Sequence, residues 1–212
     1  MKTISKTGLV GALLLLSGMA HAEWSGNLGY ASEYHFRGIF QDESSASGGI
    51  DFESGGFYAG TWAADVGVGI ETDLYFGYGA SVGDVDLSIG YTGYFYTGDT
   101  FDDTYQEINL GASFGPLALD VAVGKHDLDP LIHGRTGDED YTFVSLTLEN
   151  ESGFYGTFGT FSQDLDGDYL ELGYGTTVAE IDLGVALIFA NDDLVGVDEE
   201  SIVFSIGKSF DL

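Results

Sequence analysis

The stretch Ile70–Phe95, IETDLYFGYGASVGDVDLSIGYTGYF, carries the pattern on which the rest of the chain is built. Ile70, Thr72, Leu74, Phe76, Tyr78 and Ala80 alternate with Glu71, Asp73, Tyr75, Gly77 and Gly79. A period of two with one oily and one wet face is the signature of a β-strand. After the Val82-Gly83-Asp84 turn the alternation resumes, with Val85, Leu87, Ile89, Tyr91 and Phe95 opposite Asp86, Ser88, Gly90, Thr92 and Tyr94. Both strands reach roughly 10 to 12 residues, about what a tilted strand needs to cross a bilayer. A lone hairpin would leave its edges unpaired in hydrocarbon, so repetition of this pattern implies a closed barrel.

Composition agrees. Glycine at 33 and proline at 2 in 212 residues suit many strands joined by tight turns. The formal charge of −29 coexists with a hydrophobic fraction of 44%, which excludes an acidic disordered chain. Alternation on strands keeps acid and oil apart without any long apolar run. With no cysteine there is no disulfide framework, thiolate metal site or lipid-accepting residue. The acidity argues against nucleic acid as a partner and points to cations.

Lys2 and Lys6, the apolar run Gly8–Met19 and Ala20-His21-Ala22 read as a Sec-type signal peptide cleaved after Ala22. The expected domains are therefore 1–22, removed, and 23–212, a single barrel in the outer membrane. Losing the two lysines leaves four basic residues against 35 acidic ones.

Twelve strands follow from the alternation. Trp24, Gly26, Leu28, Tyr30, Ser32, Tyr34 and Phe36 share one parity, so Trp24–Phe36 is the first, followed by a polar loop around Phe40 to Ser47. The second strand holds Ile50 and Phe52. The third, Phe57–Ala64, has ambiguous parity. After the opening hairpin come strands from Thr104 and from Leu117, a long loop from Asp127 to Asp140, then Tyr141–Leu148, Phe154–Gln163, Asp168–Val178, Ile181–Ala190 and Ser201–Leu212. Connections at 53–56, 81–84, 115–116, 149–153 and 179–180 are short; the others are mostly longer and acidic. Outer-membrane barrels alternate in this way, with short periplasmic turns, long external loops and an even strand number. Both termini are thus expected in the periplasm.

A faint repeat runs through the chain at about 96 to 98 residues. Glu53-Ser54-Gly55-Gly56-Phe57-Tyr58 echoes Glu151-Ser152-Gly153-Phe154-Tyr155, and Gly77-Tyr78-Gly79 echoes Gly173-Tyr174-Gly175. Two six-stranded halves would explain it, as would chance similarity among Gly- and Tyr-rich hairpins.

Between Ser32 and Ala64, the pieces Tyr34-His35-Phe36-Arg37-Gly38, Gly48-Gly49 with Asp51-Phe52, and Gly56-Phe57-Tyr58-Ala59-Gly60-Thr61-Trp62-Ala63 resemble the TorF-like porin family, bacterial outer-membrane barrels of largely unknown function. The C-terminal Lys208-Ser209-Phe210 is also similar, although Asp211 and Leu212 follow it here. The resemblance implies an outer-membrane barrel, recognition of the C-terminus by the barrel-assembly machinery and a pore. It brings no catalytic residues.

If the large apolar side chains face lipid, the other face is the lumen. Asp86, Asp120 and Asp182 then lie near the periplasmic mouth, and Glu71, Asp73, Glu107 and Glu171 near the external ends of their strands. Between them come Gly77, Gly79, Gly90, Gly111, Gly124, Gly173 and Gly175. Carboxylates at both ends with small residues between describe a narrow water-filled passage that prefers cations. Tyr75, Tyr94, Tyr96 and Tyr155 could close it. Arg37 shares parity with Glu33 and is expected to pair with it or to narrow the outer mouth. Lys125 and Lys208 fall on the lipid-facing parity near strand ends, where a lysine snorkels and Lys125 could meet lipid phosphates.

Asp164, Asp166 and Asp168 alternate at a hairpin tip and form a weak site for a hard cation such as calcium, lacking the glycine and glutamate of an EF-hand loop. His126-Asp127 is the nearest approach to a hydrolase pair. No enzyme and no cofactor are expected. The sequence therefore favours a passive channel for small cationic or neutral solutes. The alternative is a closed structural barrel whose acidic loops bind divalent cations, lipopolysaccharide or a partner.

Overall fold

The structure is a computed structural model and describes residues 22–98, 104–128 and 137–212. The expected signal peptide, up to residue 21, and the middles of two expected loops lie outside the described residues. Twelve strands run in chain order: β1 (Glu23–Phe36), β2 (Ile39–Ser54), β3 (Phe57–Asp65), β4 (Ile70–Val82), β5 (Val85–Tyr96), β6 (Thr104–Phe114), β7 (Leu117–Leu128), β8 (Gly137–Glu149), β9 (Phe154–Gln163), β10 (Gly167–Val178), β11 (Ile181–Ala190) and β12 (Glu199–Asp211). A short helix, α1 (Asp192–Val195), precedes β12. Each strand pairs antiparallel with the next and β1 pairs with β12, so the sheet closes into a barrel.

Alternation decides which way each side chain points. In β4 and β5, Leu74, Phe76 and Ile89 stand about half exposed on the outside, while Glu71 and Tyr94 are buried within. The same exterior band of Leu, Ile, Val and Phe continues around all twelve strands. The third strand's ambiguous parity resolves with Phe57 outside and Trp62 packed inside against Tyr34, their rings 5.8 Å apart.

Several inward glycines lie under tyrosine side chains. A methyl group on Gly124 would run into the Tyr141 ring, on Gly173 into Tyr155, on Gly159 into Tyr169, and on Gly77 into the Tyr58 hydroxyl. Among the glycines expected to line a passage, Gly77, Gly90, Gly124 and Gly173 are therefore seats for tyrosines lying against the wall.

The repeat in sequence is a repeat in geometry. Gly79 N–H donates to Gly56 O and Gly175 N–H to Gly153 O, each at 2.9 Å. Ser81 donates to Asp86 at 2.5 Å and Thr177 to Asp182 at 2.6 Å. The same turn closure thus recurs six strands apart.

Strand ends at the long-loop side differ from expectation. β7 and β8 continue their pairing to Leu128↔Gly137, which shortens the expected loop from Asp127 to Asp140. The loop expected around Phe40 to Ser47 is absent. β2 begins at Ile39, and β1 turns into it through two residues alone, Arg37 (φ 50) and Gly38 (φ 84). Two successive left-handed residues make the turn that matches the twist of a hairpin.

This hairpin leaves the wall. β1 pairs with β12 only from Ser25↔Asp211 to Ala31↔Ser205, and β2 with β3 only from Ser54↔Phe57 to Ser47↔Ala64. Beyond those points residues 32–46 pair with each other and lean into the lumen. Tyr34 is consequently 2% exposed, whereas Trp24, Leu28 and Tyr30 of the same parity face outward. Their expected common face is broken where the ladder to β12 stops.

Candidate functional site

The in-leaning hairpin brings the one arginine near its tip to the centre of the constriction. Arg37 Nη1 donates to Glu107 Oε1 at 2.5 Å and Nη2 to Oε2 at 2.9 Å, and the Glu107 side chain is completely buried. A fork of this kind satisfies a charge taken out of water, where either partner alone would be costly. The guanidinium also lies 4.7 Å from the Phe36 ring centre and 4.3 Å from that of Phe143 on β8. Gly38 touches Tyr169 on β10 so closely that a Cβ would sit 2.5 Å from the tyrosine Cβ. The tip is therefore held from β6, β8 and β10 at once.

Tyrosines complete the layer. Tyr141 and Tyr94 donate to Glu107 at 2.8 and 3.0 Å, and Asn109 does so at 2.9 Å. Tyr34 donates to Glu71 at 2.6 Å. Behind them Tyr141, Phe143, Phe161 and Tyr169 pack with Ile39 of the hairpin and with Leu194 and Val195 of α1. Asn191 caps that helix by accepting from Leu194 N–H at 3.1 Å. Glu71 and Glu107 are each 1% exposed. At this level the barrel is a packed core.

The expected site residues divide into two groups. Glu71, Asp73 and Glu107 meet around the hairpin, with Glu71 Oε2 and Asp73 Oδ1 buried and given no hydrogen-bond partner among the described residues. Glu171 faces inward and accepts from Tyr155 at 2.5 Å. Asp86, Asp120 and Asp182 also face inward, on β5, β7 and β11 toward the short-turn end, and the structure does not bring them together. Asp51 joins their face from β2, accepting from Tyr75 and from Asn27. Sequence reasoning passed over Asp51, although its parity with Gly49 and Glu53 marked it.

Several expectations are corrected. Arg37 does not pair with Glu33; Glu33 meets His35 at 3.0 Å, and Arg37 goes to β6 because the hairpin bends away from the wall. Asp164 accepts from Asp140 N–H and Asp166 from Gly167 N–H, so these two carboxylates cap backbone groups, while Asp168 donates its own backbone N–H to Asn191 Oδ1 at 3.0 Å. Among the described residues no group of three or more His, Asp or Glu is placed to hold a metal ion. His126 lies inside, stacked on Tyr105 at 3.9 Å, while Asp127 falls on the outward parity. Lys125 is engaged by Asp138 at 2.7 Å and Lys208 by Glu180 at 3.2 Å.

Comparison with known proteins gives a fold and a family. A membrane protein solved to unveil the mechanism behind in-meso crystallization superposes with a TM-score of 0.57 at 11% identity, covering 90% of this chain and 84% of its own. Pseudomonas aeruginosa OccK2 (OpdF) in complex with glucuronate gives 0.44 at 13% identity over 86% of this chain. OccD1 (OprD) Y282R/D307H gives 0.44 at 13% over 90%. This chain spans 61% and 66% of those two. No curated protein matches the sequence. Residues 17–149 match the profile described as "Bacterial protein of unknown function (Gcw_chp)".

Proposed function

The chain belongs to the Gcw_chp family of bacterial proteins of unknown function, and from that premise we propose an outer-membrane channel through which small solutes diffuse passively, cations in preference to anions. The observation that carries this reading is the inward set of carboxylates in a closed barrel. Asp51, Asp86, Asp120 and Asp182 face the lumen from four strands at the short-turn end, and the described lumen offers Arg37 already neutralised by Glu107. Carboxylates in a low-dielectric wall draw cations and repel anions.

Around that channel stand the remaining parts of the reading. The protein is exported by a Sec-type leader cut after Ala22, inserted by the barrel-assembly machinery, and surrounded by lipid and lipopolysaccharide. It performs no catalysis. Its external acids collect divalent cations shared with lipopolysaccharide.

The test is reversal potential across planar bilayers under a potassium chloride gradient. Wild-type protein is expected to show a potential of cation-selective sign, and the triple variant Asp86→Asn, Asp120→Asn, Asp182→Asn to move it most of the way to zero. An anion-selective sign, or a potential unmoved by the triple variant, rejects the reading. The buried Arg37–Glu107 contact favours a second reading, a closed structural barrel. Absence of conductance from wild type and every variant, with divalent-dependent binding to lipopolysaccharide, would select it.

A further inference from the structure

Residues 32–46 carry two incompatible instructions. Their packing directs Tyr34 and Phe36 inward, toward Glu71 and Tyr94. Their alternation directs the same two rings outward, in step with Trp24, Leu28 and Tyr30. A strand slipped or bent out of its ladder reverses the faces of its side chains, and both arrangements bury apolar surface only if each has a partner waiting.

Both partners are present. Within β12, Glu199–Phe204 pair with β11 on one side, and among the described residues no backbone ladder covers the other. An open run of N–H and C=O groups is a template for a strand. Extending the register Ala31↔Ser205 sets Glu33 opposite Val203, His35 opposite Ser201 and Arg37 opposite Glu199. Tyr34 then lies opposite the outward Ile202 and Phe36 opposite the exposed Glu200, and Arg37 exchanges Glu107 for Glu199. The ion pair and the Tyr34 ring that hold the hairpin inside the lumen each have a counterpart on β12.

The hinge is visible as well. Ser32 Oγ accepts from Phe204 N–H at 2.9 Å where the β1–β12 ladder stops, and Ser45 Oγ donates to Asp65 O at 2.7 Å beside the stop of β2–β3. Two hydroxyls thus stand in for the next backbone hydrogen bonds. Ser44 between them has φ 66, a left-handed value that serine adopts at a cost.

We propose that the β1–β2 hairpin is the gate of this barrel: it closes the lumen when folded in, and opens it by swinging out to extend the β1–β12 ladder along Glu199–Phe204. Its consequence for transport rests on the channel reading; the movement itself does not. The swing exchanges Glu107 for Glu199 as the partner of Arg37 and lets water reach Glu107, and the difference in free energy between the two positions sets their populations.

The absence of native cysteine permits a clean test in lipid bilayers. Gly38→Cys with Tyr169→Cys traps the folded-in tip, and Arg37→Cys with Glu199→Cys traps the wall position; Arg37→Cys alone controls for the missing ion pair. Both pairs are expected to cross-link on oxidation. The first should be silent, the second should conduct several-fold more than the oxidised first pair, and reduction should reverse the silence. Failure of the 37–199 pair to cross-link, while 38–169 does, overturns the gate. Equal conductance in the two oxidised forms also overturns it. Efficient 37–199 cross-linking with no conductance in any form upholds the movement and rejects the channel instead.

Discussion

Glu107 illustrates how a buried charge is tolerated. It accepts from Arg37 twice and from Tyr94, Asn109 and Tyr141, so its two oxygens are saturated. Replacing it by alanine would strand the guanidinium in a packed layer, at a cost of about 3–5 kcal/mol. Replacing both partners, Arg37→Met with Glu107→Leu, is expected to cost far less, because no charge is left behind. Equilibrium unfolding in urea for the two singles and the double reads the coupling. Gly124 makes the complementary case for shape. Gly124→Ala sets a methyl group where the Tyr141 ring lies and should cost about 1–3 kcal/mol, measured in the same way. Tyr141→Ala in the same chain should remove most of that additional penalty.

At the scale of the strand, parity is the whole of the instruction. In β5, Ile89 faces outward beside Leu110, and Ser88 faces inward beside Gly111. Ile89→Arg is therefore expected to destabilise the barrel in lipid vesicles by about 2–4 kcal/mol, the cost of a cation near the bilayer midplane. Ser88→Arg, one residue away, should leave stability nearly unchanged while altering conductance. Comparable losses at both positions would contradict the assignment of faces. The hairpin of β1 and β2 is the exception, since its faces depend on whether its neighbours hold it in the wall.

For the molecule as a whole, charge acts as a field. On the channel reading, the formal net charge of −29 concentrates cations at both mouths. The screening length falls from about 10 Å in 0.1 M salt to about 3 Å at 1 M. Cation preference should therefore shrink steadily over that range in reversal-potential measurements. A preference independent of salt would place selectivity in a narrow contact site. The repeat also belongs to this scale: Tyr58 over Gly77 and Tyr155 over Gly173 are the same packing unit on β3–β4 and β9–β10.

The sequence by itself determined the closed twelve-strand sheet, the short turns other than the one at Arg37-Gly38, and the inward parity of Glu71 and Glu107. Alternation with period two is a local property that each strand declares alone, as Ile70–Tyr96 does. Only the tertiary structure decided that Arg37 meets Glu107, seventy residues away, that tyrosines fill the hollows above Gly77, Gly124 and Gly173, and that Tyr34 turns inward. Those contacts join strands from different parts of the ring. Their selection depends on the barrel's diameter and on where the β1–β12 ladder stops, quantities set by all the strands together and by no single stretch of chain.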